Sequence, residues 1–514
     1  MSLSLQDYRS RVLGCWLGKN IGGTLGAPFE WRRQVNDVSF YTQDLRGEPL
    51  PNDDLDIQLL WLVALEERGI GLNAATLADY WCLYVTPHWS EYGTAKVQMR
   101  AGLPPPLCGD TGNEFRDSCG AFIRSEIWAC IAPGLPKLAA QYALADASLD
   151  HGGGEGSFAA VFCAALESAA FAVADLPALL EIGLSYIPEG CGTAGAIRCA
   201  MASHAAGRSW QEARDAVLQD FRGGTFFGHL SHTSEADRKK GFHEGKRGWD
   251  APSNLGLLAV ALLYGEGDFA RTVCVAVNCG EDTDCTAATA GSIFGILHGA
   301  AAIPDAWVKP IGRTIKTACL NLGELGYFGN QLPQNVDALT VRTEQVMRQV
   351  MLRHAPNLEP VAEFAVAPAV APVSPESLHA GAFRDELWAS SGGPVFTFDF
   401  FKIGVDYGHA GVFVRDGQPR PLRVWIRNTY KVQAVLHLTW HLPEGWSAAP
   451  ARTGTVLSLP GHLCGGRPVE LEFVFTPAAL NRPLARLILE IVCDSRPTVM
   501  LVPVVFRNGN FQPG

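Results

Sequence analysis

The chain has 514 residues, 47% of them hydrophobic, with 41 Lys and Arg against 52 Asp and Glu and a formal net charge of −11. That length exceeds one ordinary core, so two or more domains are expected. The acidic balance excludes generic nucleic-acid and anionic-membrane binding, and no run reaches the ~18 uninterrupted apolar residues of a membrane-spanning helix.

In chain order, the opening MSLSLQDYRSRVLGCW carries charges where a secretory signal needs a continuous apolar stretch. The 14 cysteines include no Cys-x-x-Cys pair, and Cys130, Cys163, Cys199 and Cys274 sit in apolar surroundings that suit small buried thiols. A soluble, cytoplasmic protein is expected. Residues 1–355 then read as helix after helix. Ile57–Glu67, Ser157–Ala174 and Leu255–Leu263 are free of Pro and apolar nearly all round, as interior helices of a large bundle are. Their small residues permit close helix approach, and sparse β-branching argues against strands. Residues 356–378 are rich in Pro and Ala and read as a semi-rigid linker. Alternating runs follow at Val395–Phe400, Leu422–Arg427, Ala434–Trp440, Val469–Phe475, Leu484–Val492 and Val499–Phe506. Residues 379–514 are therefore expected to form an antiparallel, immunoglobulin-like β-sandwich. Trp425, Trp440 and Trp446 within it suit either a sugar-binding platform or plain core packing.

Two segments place carboxylates directly before apolar helices: Asn52-Asp53-Asp54-Leu55-Asp56 and Gly280-Glu281-Asp282-Thr283-Asp284-Cys285-Thr286. A single Asp suffices to cap a helix and suit its dipole. Crowded carboxylates repel one another, and a bound cation relieves that repulsion. Asp side chains with nearby carbonyl or hydroxyl oxygens make a hard-oxygen set suited to Mg²⁺, Mn²⁺ or Ca²⁺. Elsewhere, His151 precedes the run Gly152-Gly153-Gly154-Glu155-Gly156 in front of an apolar helix. That run is either a phosphate cradle or a plain flexible loop. Trp249 reads as a base-stacking or core side chain, and His229 with His232 as a weak metal pair or a polar loop. Arg124 reads as a substrate-phosphate contact or as the partner of Glu126 or another buried acid.

Five segments in one order carry a resemblance. They are Gly14–Glu30 (GCWLGKNIGGTLGAPFE), Asn52-Asp53-Asp54, Glu91-Tyr92-Gly93-Thr94, Gly120–Arg124 and Gly280–Ala288. Together they resemble the ADP-ribosylglycohydrolase family. Its corresponding motifs are a glycine-rich opening ending Gly-Ala-Pro-x-Glu, then Thr-Asp-Asp, Asp-Ile-Gly, Asn-Gly-x-x-Met-Arg and Gly-Gly-Asp-x-Asp-Thr. The resemblance ends before the β region. It implies a mainly α protein whose all-α bundle holds two divalent cations, Mg²⁺ or Mn²⁺, and removes ADP-ribose from modified side chains or related acceptors. It also implies that Asp53, Asp54, Asp282 and Asp284 are metal ligands, and that Glu30 approaches the metal or gates the cleft.

Three positions depart from the family pattern. Asn52 replaces Thr and keeps an oxygen for coordination. Cys285 replaces the last Thr, so it either points away, with Thr286 as substitute, or marks a site altered in metal or occupancy. Asp56 is an extra carboxylate, read as a further ligand or base.

Cleavage at a ribose passes through a cation-like anomeric carbon and needs charge stabilisation, a proton for the leaving group and a positioned water. The expected catalytic carboxylates are Glu30, Glu91 and Asp54. The expected metal set is Asn52, Asp53, Asp54, Asp282, Asp284 and Cys285, and the substrate set is Arg124, His151, Gly153, Gly154 and Trp249. The expected function is metal-dependent hydrolysis of a ribosyl N- or O-glycosidic bond in a small-molecule or ADP-ribosylated substrate. The alternatives are hydrolysis of a smaller nucleoside-like or sugar N-glycoside, and a non-catalytic binding protein that retains the fold.

Overall fold

The computed structural model describes residues 3–223, 232–242, 251–320, 326–355, 373–389, 392–496 and 498–509. Trp249, His229 and most of the expected linker lie outside them. The chain divides into two compact units. Met1–Lys96 with Gly112–Asp385 make the first, and Val97–Thr111 with Glu386–Gly514 the second.

The first unit is helical and belongs to the expected all-α class. Helix α1 (Leu5–Gly26) is capped by Ser4, whose hydroxyl accepts the Asp7 amide, and its residues from Gly14 to Gly26 are all buried. A helix buried on every side lies at the centre of its bundle. The glycines explain how it fits there. Gly14, Gly18, Gly22 and Gly26 recur every fourth residue and share one face. Along that face α1 meets α5 (Thr283–His298) antiparallel. A Cβ on Gly18 would stand 2.0 Å from the Gly291 carbonyl, and one on Gly26 would stand 2.3 Å from that of Thr283. From the other side, a Cβ on Gly295 would meet Gly14 at 2.1 Å. The glycine-rich opening is therefore a backbone-to-backbone seam, and it brings the end of α1 to the start of α5.

Helix α2 (Asp53–Arg68) follows Asn52, which caps it, and buries Asp54 to Leu65 without a break. Helices α3 (Glu155–Ala170) and α4 (Ala251–Tyr264) are the other two Ala-rich interior segments; α3 stops four residues before the expected Ala174. Among the described residues no helix is long and apolar enough to cross a membrane.

The second unit holds two five-stranded sheets. Its strands are β1 (Val395–Thr397), β2 (Phe401–Asp406), β3 (Phe413–Val414), β4 (Arg420–Asn428), β5 (Ala434–His441), β6 (Ser447–Ala449), β7 (Thr453–Ser458), β8 (Val469–Thr476), β9 (Leu484–Cys493) and β10 (Val499–Asn508). One sheet runs β1-β2-β4-β8-β6 and the other β3-β10-β9-β5-β7. Every pair is antiparallel except β3 with β10. Burial alternates along β4, so Leu422, Val424 and Ile426 face one apolar core, which Leu487, Leu489 and Val502 enter from the other sheet. That shared core makes the pair a sandwich.

Sequence alternation missed β2, β3, β6 and β7, because each is short or carries Gly, Ser or Thr where an apolar residue would signal a strand. Trp440 and Trp446 belong to the core, and Trp425 covers Gly404, where a Cβ would stand 2.0 Å from its ring. Packing, rather than a sugar platform, accounts for all three. Val97–Thr111, read from sequence as part of the helical region, falls in the second unit because Leu103, Leu107 and Cys108 are buried in the sandwich core.

Candidate metal centre and cavity

The antiparallel seam delivers three chain segments to one end of the helical unit. Glu30 follows a short 3₁₀ turn, Ala27–Phe29, beyond α1. Asp53 and Asp54 open α2, and Asp282 and Asp284 open α5. Capping accounts for little of this acidity. At α2 the cap is Asn52, whose amide oxygen accepts the Asp54 N–H at 2.6 Å. At α5 Asp282 occupies the N-cap position, yet its side chain makes no capping bond.

The carboxylates gather in two overlapping groups. Single ligand atoms of Asp54, Asp284 and Cys285 lie within 4.8 Å of one another, as do those of Glu30, Asp282 and Asp284. Asp284 belongs to both. Both oxygens of Asp54, Oδ1 of Asp282 and Oδ1 of Asp284 are buried without a hydrogen-bond partner. Lys19 Nζ stands 3.8 Å from Asp54 Oδ1 and bonds to Glu126 at 2.7 Å. Burial alone would discharge that lysine, but the Glu126 and Asp54 carboxylates hold it charged, above its usual range.

Burial and then the neighbouring acids lift Glu30 to about 9. Burial likewise carries Asp54 to about 8 against the pull of Lys19, and Asp53 to about 6. Asp284 is pushed well up by burial and by Glu30. Buried carboxylate oxygens without donors, forced toward their protonated forms, fit a centre completed by cations.

Two of the departures from the family pattern now have a place. Cys285 does not point away; its sulfur is part of the ligand group. The Thr286 hydroxyl donates its proton to the Asp282 and Thr283 carbonyls. Asp56 lies outside both ligand groups: its Oδ2 accepts the amides of Ala318, Cys319 and Leu320 and so fixes that loop, while its Oδ1 is buried without a hydrogen-bond partner.

The loop before Asp282 is strained. Glu281 has φ +70° and Trp31, hydrogen-bonded to it, φ +65°, a left-handed region costly for residues with a Cβ. The buried Glu281 carboxylate pairs with Arg222 at 2.6 Å and Arg33 at 3.4 Å, which holds the turn.

A cavity of about 320 Å³ opens on the acidic cluster, lined by Glu30, Asp53, Asp282, Asp284 and Cys285. Glu91 lines it too. This side chain is buried, and burial raises it above the usual carboxylate range. Gly120 leaves room for it, since a Cβ there would meet Glu91 Oε1 at 2.2 Å. Trp31, Trp89, Ser118 and Cys119 also line it, beside Arg33 and Glu281, which are paired with each other. No sequence pattern distinguished Trp31, Trp89, Ser118 or Cys119. The signal that was legible but passed over is Lys19, a cation among the glycines and apolar residues of α1 and so bound to face an acid.

Several expected substrate contacts face the protein instead. Arg124 is not in the cavity wall; it is fully buried and bonds Asp146 at 2.9 Å and Asp150 through both terminal nitrogens, at 2.6 and 3.0 Å. Its partners are therefore these acids, while Glu126 belongs to Lys19. The glycine run is no phosphate cradle. The Glu155 amide is taken by Asp117 Oδ1 at 2.8 Å, and the amides of Gly154 and Gly156 by the carbonyls of His151 and Arg116. His151 is buried and one contact removed from the cavity, with Nε2 3.0 Å from Ser118 Oγ and Nδ1 2.9 Å from Asp150 Oδ1. The tight packing extends to Gly156, where a Cβ would stand 1.9 Å from the imidazole.

Comparison with known proteins follows this geometry. A family model described as ADP-ribosylglycohydrolase matches residues 4–336. Among solved structures, one titled "ADP-ribosylglycohydrolase-related protein complex" is 21% identical, with 67% of this chain and 100% of that chain covered and a TM-score of 0.43. A FixG-related protein from Vibrio parahaemolyticus is 15% identical over 22% of this chain and 99% of its own, with a TM-score of 0.17. No curated protein matches the chain at a significant level.

Proposed function

The chain belongs to the ADP-ribosylglycohydrolase family, and on that premise we propose that it is a metal-dependent hydrolase of a ribosyl N- or O-glycosidic bond. The observation that carries this reading is the pair of ligand groups sharing Asp284, with buried carboxylate oxygens that no protein donor meets. Asp54, Asp282, Asp284 and Glu30 would hold two divalent cations, with Asp53 beside them in the cavity wall. Such ions, when bound, supply positive charge that lets the acids ionise and polarises substrate oxygens.

The protein's own part is proton handling and exclusion of water. Glu91 lines the cavity outside both ligand groups and is raised by burial, so it suits proton donation to the leaving group. Glu30 lies within a ligand group and suits orienting the attacking water and taking its proton. Asp150, held by Arg124, fixes His151 against Ser118 and so stiffens the cavity wall at that residue.

A second reading, a smaller riboside as substrate, is favoured by a specific observation. The expected phosphate contacts Arg124, Gly153 and Gly154 do not line the cavity, and its volume is at the low end of the ~300–1,000 Å³ typical of ligand pockets. Hydrolysis of ADP-ribosyl-arginine, ADP-ribosyl-serine and simple ribosides, each with Mg²⁺ or Mn²⁺, separates the two. Turnover of none by the metal-loaded protein would instead favour a binding protein. The double variant Asp53→Asn, Asp282→Asn is expected to lose both bound metal and turnover. Unchanged metal content would refute the ligand assignment.

A further inference from the structure

The two ligand groups differ in chemistry. Glu30, Asp282 and Asp284 offer only oxygen, whereas the other group joins the oxygens of Asp54 and Asp284 to the sulfur of Cys285, all within 4.8 Å. Asp54, Asp284 and Cys285 are each more than nine-tenths buried, and three of the four carboxylate oxygens in that group have no hydrogen-bond partner. The sulfur thus lies among carboxylate oxygens that no hydrogen-bond donor meets. The next hydroxyl on the helix, Thr286, donates its proton to the Asp282 and Thr283 carbonyls. Hard ions such as Mg²⁺ select oxygen ligands and keep their waters, while thiolate favours borderline and soft ions, zinc foremost.

We propose that Asp54, Asp284 and Cys285 form a mixed carboxylate–thiolate position that takes one zinc-class ion, so that the centre holds two chemically different metals rather than a matched hard pair. This rests on the metal-centre reading above and goes beyond it in naming the metal class. On binding, the Cys285 S–H bond breaks, its proton leaves to solvent, and the thiolate sulfur donates an electron pair to the ion, with no change of oxidation state. Three protein donors leave the fourth tetrahedral position of a zinc-class ion for water or substrate. The neighbouring all-oxygen group, Glu30 with Asp282 and Asp284, is left for a hard ion.

The test uses the full chain, stripped of metal and titrated separately with Co²⁺, Zn²⁺ and Mn²⁺. One equivalent of Co²⁺ is expected to give the near-ultraviolet charge-transfer absorption of a cobalt–thiolate bond. That band should vanish in both Cys285→Thr and Cys285→Ser. It should persist in Cys119→Ser, which removes the other thiol in the cavity wall. In the two Cys285 variants Zn²⁺ affinity should fall at least about tenfold, the lower end of what loss of even an outer partner costs a metal site, with Mn²⁺ affinity unchanged or raised. Two Cys285 variants keep the test decisive should one of them fail to fold. Cobalt binding without the band, or with a band that survives in the Cys285 variants, overturns this proposal and leaves an all-oxygen centre standing. Absence of binding by any of the three ions overturns the metal-centre reading as well.

Discussion

The two units bury different things. The sandwich interior is almost wholly apolar: Ile403, Val424, Leu487, Val502 and Phe506 are fully buried, and polar pairs such as His437 with Asp494 and His441 with Glu490 lie in the open. Its buried Arg420 donates to the Tyr407 and Gly411 carbonyls, with no acid involved. The helical interior holds Lys19, Asp54, Asp56, Arg124, Glu126, Asp150 and Glu167, all buried. Taking an ion out of water costs several kcal/mol even after relaxation, and the sandwich demonstrates that this chain can build a core without that cost. In the helical unit the buried charges largely meet one another, as where Lys19 bonds Glu126 and Arg124 bonds Asp146 and Asp150, while the Asp54 oxygens have no hydrogen-bond partner.

The comparison can be broken at several points. The largest effect is expected at Glu91→Gln, which keeps the shape and removes the titrating group. Turnover should fall by about 10²–10⁴-fold, as for loss of a general acid, with bound metal unchanged by elemental analysis. A loss of metal instead would make Glu91 a ligand. Next comes Arg124→Leu, which strands Asp146 and Asp150 without a cation. Breaking a buried pair from one side costs about 3–5 kcal/mol, read by denaturant unfolding, and a change below about 1 kcal/mol would mean that water reaches those acids.

The pH dependence of the metal-free protein sharpens the contrast further. Glu30, Asp54 and Asp53 are lifted to about 9, 8 and 6, against about 4 for unfolded carboxylates. The folded state therefore holds more protons than the unfolded one in that window. The stability these three groups contribute is fully present below about pH 4 and is lost as pH rises toward 9. The melting temperature of the stripped protein should drop between pH 5 and pH 9, and Mn²⁺ should restore more of it at the higher pH. A flat profile would show that the acids are solvated. The smallest effect is expected at His441→Ala in the sandwich, whose half-exposed pair with Glu490 is worth at most about 1 kcal/mol. A larger loss would mean that the ladder between β5 and β9 depends on it.

Much of this was readable beforehand. The apolar helices, the alternating strands and the acidic openings of α2 and α5 all rest on patterns within a few residues of one another. Local periodicity decides which face of an element is apolar, and a carboxylate beside two others repels them in any fold. The family resemblance joined Asp53, Asp54, Asp282 and Asp284, with Glu30 beside them, into one expected site, and the seam between α1 and α5 explains how segments so far apart meet; Asp53 falls in the cavity wall outside the two ligand groups. Arg124, by contrast, read equally well as a phosphate contact or a buried partner. The glycine run from Gly152 read as a cradle or a loop, because the groups that take its amides, Asp117 and Arg116, lie more than thirty residues away.

The sequence by itself determined the elements, the apolar faces and the presence of two acidic clusters before helices, because those follow from short-range sterics, hydrophobic period and charge. Only the tertiary structure decided that Cys285 turns toward Asp54, that Asp56 holds a loop, that Arg124 is saturated by Asp146 and Asp150, and that Val97–Thr111 joins the sandwich core. Each of these depends on what a distant segment brings within a few ångströms of a side chain, and for a buried polar group that partner settles whether it supports the fold or is left to bind something else.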